Sequence, residues 1–246
     1  HAEEHAARLG EAERELREFM DMVVHDLRNP LHGLLLSFEI LEMENDRENA
    51  VQKRQNVIAG AYQIVEQMKA TLEHLQTINA LEQGFFQIFP TACNLREVME
   101  SVTAQYASHA EAKNIALRLE ISGDDDAESE RSWHVDKKLF RQIVGNLVSN
   151  AVKYSPQGKS VFVRAQSAGE VIRVEVQDEG PGISPEDRKK LFGKFARLSA
   201  RPTGGESSTG LGLSIVKKMV EAMQGKVWCE SELGKGATFI VELPAA

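Results

Sequence analysis

The first 83 residues hold one of the chain's seven prolines, Pro30, and three of its eighteen glycines, Gly10, Gly33 and Gly60. In their place stand Glu, Ala, Leu, Gln and Met, which lose little on entering a helix. Ala2, His5, Leu9, Ala12, Leu16, Phe19 and Val23 recur at alternating intervals of three and four residues. Ile58, Ala61, Val65, Met68, Leu72 and Leu75 repeat the pattern, and the polar run MENDRENA at 43–50 separates the two seams. A stretch built this way predicts two long antiparallel helices joined by a turn. Each apolar stripe is wider than one partner helix can cover. The spacing therefore predicts a second copy of the chain and a dimeric four-helix bundle.

Beyond residue 90 the character changes. Glycine, proline and β-branched runs alternate with helical patterns, which predicts an α/β domain. Asn94 is placed to cap a helix over 95–111, and Asp136 to cap another through Tyr154. Strands are expected at 115–121, 160–166, 171–177, 225–231 and 237–243, with a hairpin turn at 168–170. Short and longer helices are expected at 185–190 and 211–223. Residues 123–130 and 199–209 read as loops. Five strands and three main helices make a two-layer α/β sandwich. The expected boundary leaves 1–88 as the helical domain and 89–246 as the second. The fold class is α+β.

The bulk numbers exclude several roles. The formal net charge of −8 argues against nucleic acid and anionic membranes as general partners. Cys93 and Cys229 form no CxxC pair, and no Cys/His cluster has zinc spacing, so both are expected to be reduced thiols. No apolar run reaches the ~20 residues of a membrane span. The chain starts at His1 rather than Met, so it is expected to be a piece of a longer protein.

Four segments carry candidate chemistry. In VVHDLRNPLHG, His25 has a carboxylate beside it (Asp26) and an amide one turn on (Asn29). Pro30 then interrupts the backbone ladder. A neutral imidazole is a competent phosphorus nucleophile, and a neighbouring carboxylate can take its Nδ1 proton and leave Nε2 to attack. A solvated surface histidine has the same local appearance. In NLVSNAVKY, Asn146 and Asn150 stand one turn apart with Lys153 near the same face. Amide oxygens can ligate Mg²⁺ and Lys can approach phosphate, although a solvated helix face looks similar. In VQDEGPGI, a strand ends at Asp178 and turns through Gly180 and Gly182. A buried Asp there can accept the exocyclic amine of adenine, and glycines allow close backbone approach; DxGxG is also a common turn. In TGLGLSIVKK, Gly210 and Gly212 open a helix whose first N–H groups suit phosphate. That segment fits neither the P-loop nor the dinucleotide fingerprint.

The order of these segments resembles the sensor histidine kinases over nearly the whole chain. HDLRNP looks like the family's H box, NLVSNAVKYS its N box, DEGPGI and TGLGLSI its two glycine boxes, LFGKFARL its F box, and GKGATFIVELP its closing strand. The resemblance implies a dimerisation and histidine phosphotransfer domain followed by a Bergerat-type ATP-binding domain, shared with gyrase, MutL and Hsp90-like ATPases. It implies ATP and Mg²⁺ as cofactors. His25 would be phosphorylated, with Asp26 orienting and deprotonating its ring. Asn29 would serve the reverse job of dephosphorylating a response-regulator partner. Asp178 would accept the adenine amine, Asn150 would ligate Mg²⁺ with Asn146 assisting, and Lys153 and Tyr154 would lie along the nucleotide. Gly180 and Gly182 would shape the pocket. Thr209, Gly210, Leu211, Gly212 and Leu213 would meet the phosphates at the end of a lid over 198–209. Arg197, with Lys194 as a second candidate, would reach the γ-phosphate. The expected setting is cytoplasmic, either free or as the inner part of a membrane-bound receptor whose sensor domain precedes residue 1.

Two departures matter. Ser208 stands where the family often has another glycine. His32 is a second imidazole on roughly the face of His25, but it lacks the adjacent carboxylate. Two rivals also stay open: a clamp ATPase of the gyrase or Hsp90 kind, for which the Asn helix lacks a catalytic Glu, and a degenerate kinase acting as a nucleotide-binding scaffold.

Overall fold

The structure is a computed structural model, and it describes residues 10, 20, 21, 23, 24, 27–41, 50–82, 87–122, 132–168, 170–193, 196, 198–204 and 210–244. The chain divides into two compact units, His1–Ala80 and Leu81–Ala246. His25, Asp26, Lys194, Arg197 and Thr209 lie outside the described residues, as do the expected turn at 43–49 and the acidic loop at 123–130.

The first unit is a helical hairpin. One helix, α1, is continuous over 27–41 and runs through Pro30. The other, α2, spans Ala50–Glu82. The two are close where Gly33 stands: a Cβ added there would lie 3.2 Å from Ile64 Cδ1. On other faces the apolar stripes reach solvent. Leu31, Leu35 and Phe38 on α1, and Ile58, Tyr62, Val65 and Leu72 on α2, are all exposed.

The second unit runs β1 (Thr91–Asn94), α3 (Leu95–Ala112), β2 (Ala116–Ser122), β3 (Ser132–Val135), α4 (Lys137–Tyr154), β4 (Ser160–Ala168), β5 (Val171–Asp178), α5 (Pro185–Lys190), α6 (Gly212–Ala222), β6 (Lys226–Ser231) and β7 (Ala237–Pro244). Five strands form one sheet in the order β2-β4-β5-β7-β6, in which only β2 and β4 pair in parallel. These are the five strands expected from the alternation. β1 and β3 form a separate antiparallel pair that was not expected.

Both predicted caps are in place. Asn94 accepts from Glu97 N, and Asp136 accepts from Lys138 N and Leu139 N. Period-two alternation buries one face of the sheet: Val161, Val163 and Ala165 on β4, Ile172, Val174 and Val176 on β5, and Phe239, Val241 and Leu243 on β7. Against it lie Phe140, Ile143, Leu147 and Val148 of α4, Val98, Met99 and Val102 of α3, and Ile215, Val216 and Met219 of α6. This is the core of an α/β sandwich.

Candidate active site

The inward row of β5 ends on a charge. Ile172, Val174 and Val176 all face the helices, and the next residue in that register is Asp178. Its side chain is thereby delivered beneath the helical layer, 5% exposed. Two backbone donors meet it: Gly180 N at 2.8 Å and Ala237 N at 3.2 Å, both on Oδ1. Oδ2 takes no donor among the described residues, which leaves it to accept from a ligand. Burial pushes the carboxyl up to about 6, while the two N–H groups pull it the other way.

The loop after β5 is held tightly. A Cβ added to Gly180 would lie 2.7 Å from Asp178 Oδ1 and 2.9 Å from Tyr154 O, so the loop runs against the last turn of α4. Gly182, at φ +73°, is pressed instead on the carbonyl of Glu232 in the β6–β7 turn. That turn grips the loop from behind. Gly234 N donates to Pro181 O at 2.7 Å, and Ile183 N donates to Ser231 Oγ at 2.9 Å. Ser231 Oγ in turn donates to Gly236 O. Gly236, at φ +82°, has no room for a side chain because Asp178 O occupies it. Ser231, Gly236 and Ala237 hold the Asp178 loop in place, and the sequence motifs did not single them out. The pair of glycines in GKG was the available signal.

On α4 the core residues leave one edge half-exposed, and Asn146, Asn150, Lys153 and Tyr154 lie along it. Asn146 Nδ2 donates to Gln142 O at 2.9 Å, which turns Oδ1 outward. The start of α6 lies there: a Cβ on Gly212 would be 3.2 Å from Asn146 Oδ1 and 3.9 Å from Asn150 Nδ2. Gly210 takes φ +65° before it, Leu211 is buried as an anchor and Leu213 is half-buried. Ser214 Oγ donates backwards to Leu211 O, and Leu211 at the N-cap position supplies no side-chain cap bond. The N–H groups at this helix start carry partial positive charge toward the two amides. Motifs far apart in sequence thus meet around α4: the Asp178 carboxylate at one end, and the Asn146 and Asn150 amides beside the start of α6 nearer its middle.

Residues 15–84 match the His Kinase A (phospho-acceptor) domain. Residues 135–246 match the family described as histidine kinase-, DNA gyrase B-, and HSP90-like ATPase. The chain belongs to the sensor histidine kinases. This histidine kinase core is 29% identical to the autoinducer 2 sensor kinase/phosphatase LuxQ of Vibrio vulnificus, over 92% of the chain and 26% of LuxQ. It is 30% identical to the adaptive-response sensory kinase SasA of Synechococcus sp. (strain JA-2-3B'a(2-13)), over 94% of the chain and 61% of SasA. It therefore spans less than two thirds of either relative. Among solved structures, full-length ShkA in complex with AMPPNP superposes with a TM-score of 0.65 at 26% identity, covering 94% of this chain and 46% of ShkA. The catalytic domain of the histidine kinase ThkA gives 0.54 at 28%, covering 65% and 96%.

The residues present fit the groups that the resemblance implies: Asp178 Oδ2 would accept the adenine amine, and the amide oxygens of Asn146 and Asn150, beside the α6 N-terminus, would be among the oxygen ligands of a hard cation. In the hairpin, Asn29 and His32 are both exposed on α1. No described helix is long and apolar enough to cross a membrane.

Proposed function

We propose that this chain transfers the γ-phosphoryl group of ATP to Nε2 of His25 and then passes it to an aspartate of a response regulator. The observation that carries the proposal is the meeting of Asp178, Gly180, Tyr154, Asn146, Asn150 and Gly212 around one helix, in a chain that also contains a phospho-acceptor histidine domain. Asp178 Oδ2 accepts the adenine amine, and the Gly180 turn lets the base lie close to the backbone. Lys153 and Tyr154 border the nucleotide. The segment Thr209–Leu213 presents N–H groups to the phosphates, and Gly182 keeps the β5 loop in shape from behind. Asn150, with Asn146, would hold Mg²⁺, which supplies charge neutralisation on phosphate oxygens. Arg197 and Lys194 add positive charge at the transferring group.

Asp26 takes the Nδ1 proton of His25 and orients the ring, so the lone pair on Nε2 attacks phosphorus as ADP leaves. Asn29 supports the opposite traffic, orienting water against the phosphorylated regulator. The exposed stripes on α1 and α2 support a homodimer. An N-terminal sensor domain supplies the input, and the core works in the cytoplasm.

The test is labelling with γ-labelled ATP and Mg²⁺. Acid-labile label on the protein is expected, lost in His25→Gln and kept in His32→Gln. Release of free phosphate with no protein-bound label would favour a clamp ATPase instead. Asn29→Ala is expected to keep autophosphorylation and lose regulator dephosphorylation.

A further inference from the structure

A helix that runs into a proline lacks a donor for its last carbonyls. At the end of α4, Ser155 N still closes onto Ala151 O at 3.0 Å. Pro156 then has no N–H to give Val152 O. The extended backbone at Ser155, ψ 131°, also carries the chain away from Lys153 O. Both carbonyls are met from outside the helix. Lys113 Nζ donates to Val152 O at 2.8 Å and to Lys153 O at 2.9 Å. Thr203 N donates to Lys153 O at 3.0 Å. Lys113 Nζ also donates to Thr203 Oγ1 at 2.8 Å, and that hydroxyl donates onward to Ser155 O at 2.7 Å. Lys113 is itself fixed in place: it is the half-buried C-cap of α3, where Asn114 turns the chain at φ +53°. One ammonium thus joins α3, the end of α4 and the segment 198–204, all within the second unit.

We infer that Lys113 is a positioning residue for nucleotide binding: it closes the end of α4 and so holds the backbone that sets Lys153, Tyr154 and the Gly180 turn around the base. The inference rests on the reading above, in which those residues border the nucleotide. Tyr154 O follows directly on the two carbonyls that Lys113 holds, and the Gly180 loop packs against it, 2.9 Å from where a Cβ on Gly180 would lie. Gly180 N in turn is a donor to Asp178 Oδ1. A cation at a helix C-terminus offsets the partial negative charge of its carbonyls. Without it Val152 O loses its donor, the last turn of α4 frays, and each binding event must first order the pocket wall. This end of α4 faces the base rather than the phosphates, so adenosine shares the effect with ATP.

Lys113→Met keeps the apolar stem and removes the ammonium. In the full chain, Kd for adenosine and Kd for ATP are expected to rise together by at least about fivefold, with the autophosphorylation rate at saturating ATP within about twofold of wild type. Thr203→Val keeps the N–H and removes only the hydroxyl; it should weaken both ligands by about twofold and carries the test if Lys113→Met does not fold. The double variant should lose less than the product of the two singles, because they share one bond. Lys137→Met is the control: it removes a lysine from the opposite end of the same helix, where it pairs with Glu97, and should bind both ligands like wild type. Amide exchange supplies the second readout. The Thr203 amide should exchange about tenfold faster in Lys113→Met, while the Asn114 and Ile115 amides that close α3 stay protected. Unchanged affinities in Lys113→Met, a loss of ATP with adenosine kept, a loss that Lys137→Met shares, or a Thr203 amide unprotected in wild type would each overturn the inference alone. A wild-type chain that binds neither adenosine nor ATP would instead sink the nucleotide reading, and the inference with it.

Discussion

Asp178 shows what a ligand acceptor costs when no ligand is bound. Its carboxyl titrates at about 6 in the folded chain against an ordinary 3.8, chiefly because it is buried. Between those values the folded state keeps a proton that the unfolded state has released. Stability should therefore fall as pH rises through the window from about 4 to about 6. Asp178→Asn keeps an acceptor for Gly180 N and Ala237 N and removes the titration. At neutral pH it is expected to be more stable than wild type by up to about 3 kcal/mol, with the difference shrinking toward pH 4. Denaturant titrations of both proteins across that range check this, and a pH-independent difference would refute it. The same variant should lose ATP. For the wild type, affinity for adenosine, which has no phosphate to titrate, should weaken below about pH 6 as the acceptor is protonated. The role of Asp178 was readable because it continues the buried β5 register. The second donor from Ala237 was not, because a backbone N–H from a strand 59 residues away leaves no mark in side-chain pattern.

At the scale of elements, glycines at similar φ carry different loads. Gly158 and Gly236 take φ of +78° and +82°, but a side chain on Gly158 would meet nothing, whereas one on Gly236 would strike the Asp178 carbonyl. Gly158→Ala should cost only the left-handed backbone penalty of about 1 kcal/mol and leave ATP affinity intact. Gly236→Ala must shift the β6–β7 turn off the β5 loop. It should cost more and weaken ATP binding as well, because that turn supplies the Ala237 donor to Asp178. Thermal denaturation together with nucleotide titration separates the two, and equal effects would contradict the clamp. The five main strands were visible from alternation alone. β1 and β3 were not: TACN and SWHV are four residues each, too short for a period to register, although they bury Cys93, Trp133 and Val135. The caps at Asn94 and Asp136 were legible because capping is local chemistry. Asp136 Oδ2 also accepts from Phe89 N at 3.0 Å, and that bond was hidden because its donor is remote in sequence.

The whole molecule poses a burial problem that one copy does not solve. The ATP domain has closed its core around α4, but the hairpin leaves Leu31, Leu35, Phe38, Ile58, Tyr62, Val65 and Leu72 exposed. Burying each is worth roughly 1–2 kcal/mol. Fourteen such side chains in a symmetric pair can offset the roughly 4–15 kcal/mol that association costs. Net charge does not oppose this strongly, since physiological salt screens it within about 8 Å. Leu35 and Val65 lie centrally on the two stripes, so Leu35→Glu with Val65→Glu should place like charges inside the bundle of a dimer and leave a monomer's surface merely more polar. Wild type is expected to sediment as a dimer and the double variant as a monomer. Because the ATP domain folds around its own core, ATP affinity should stay within about twofold. Autophosphorylation at His25 should fall by at least about tenfold, because the helices that present the histidine lose the packing that orders them. A monomeric wild type, or a double variant that still dimerises, would remove the exposed stripes as the interface and leave them to a different partner.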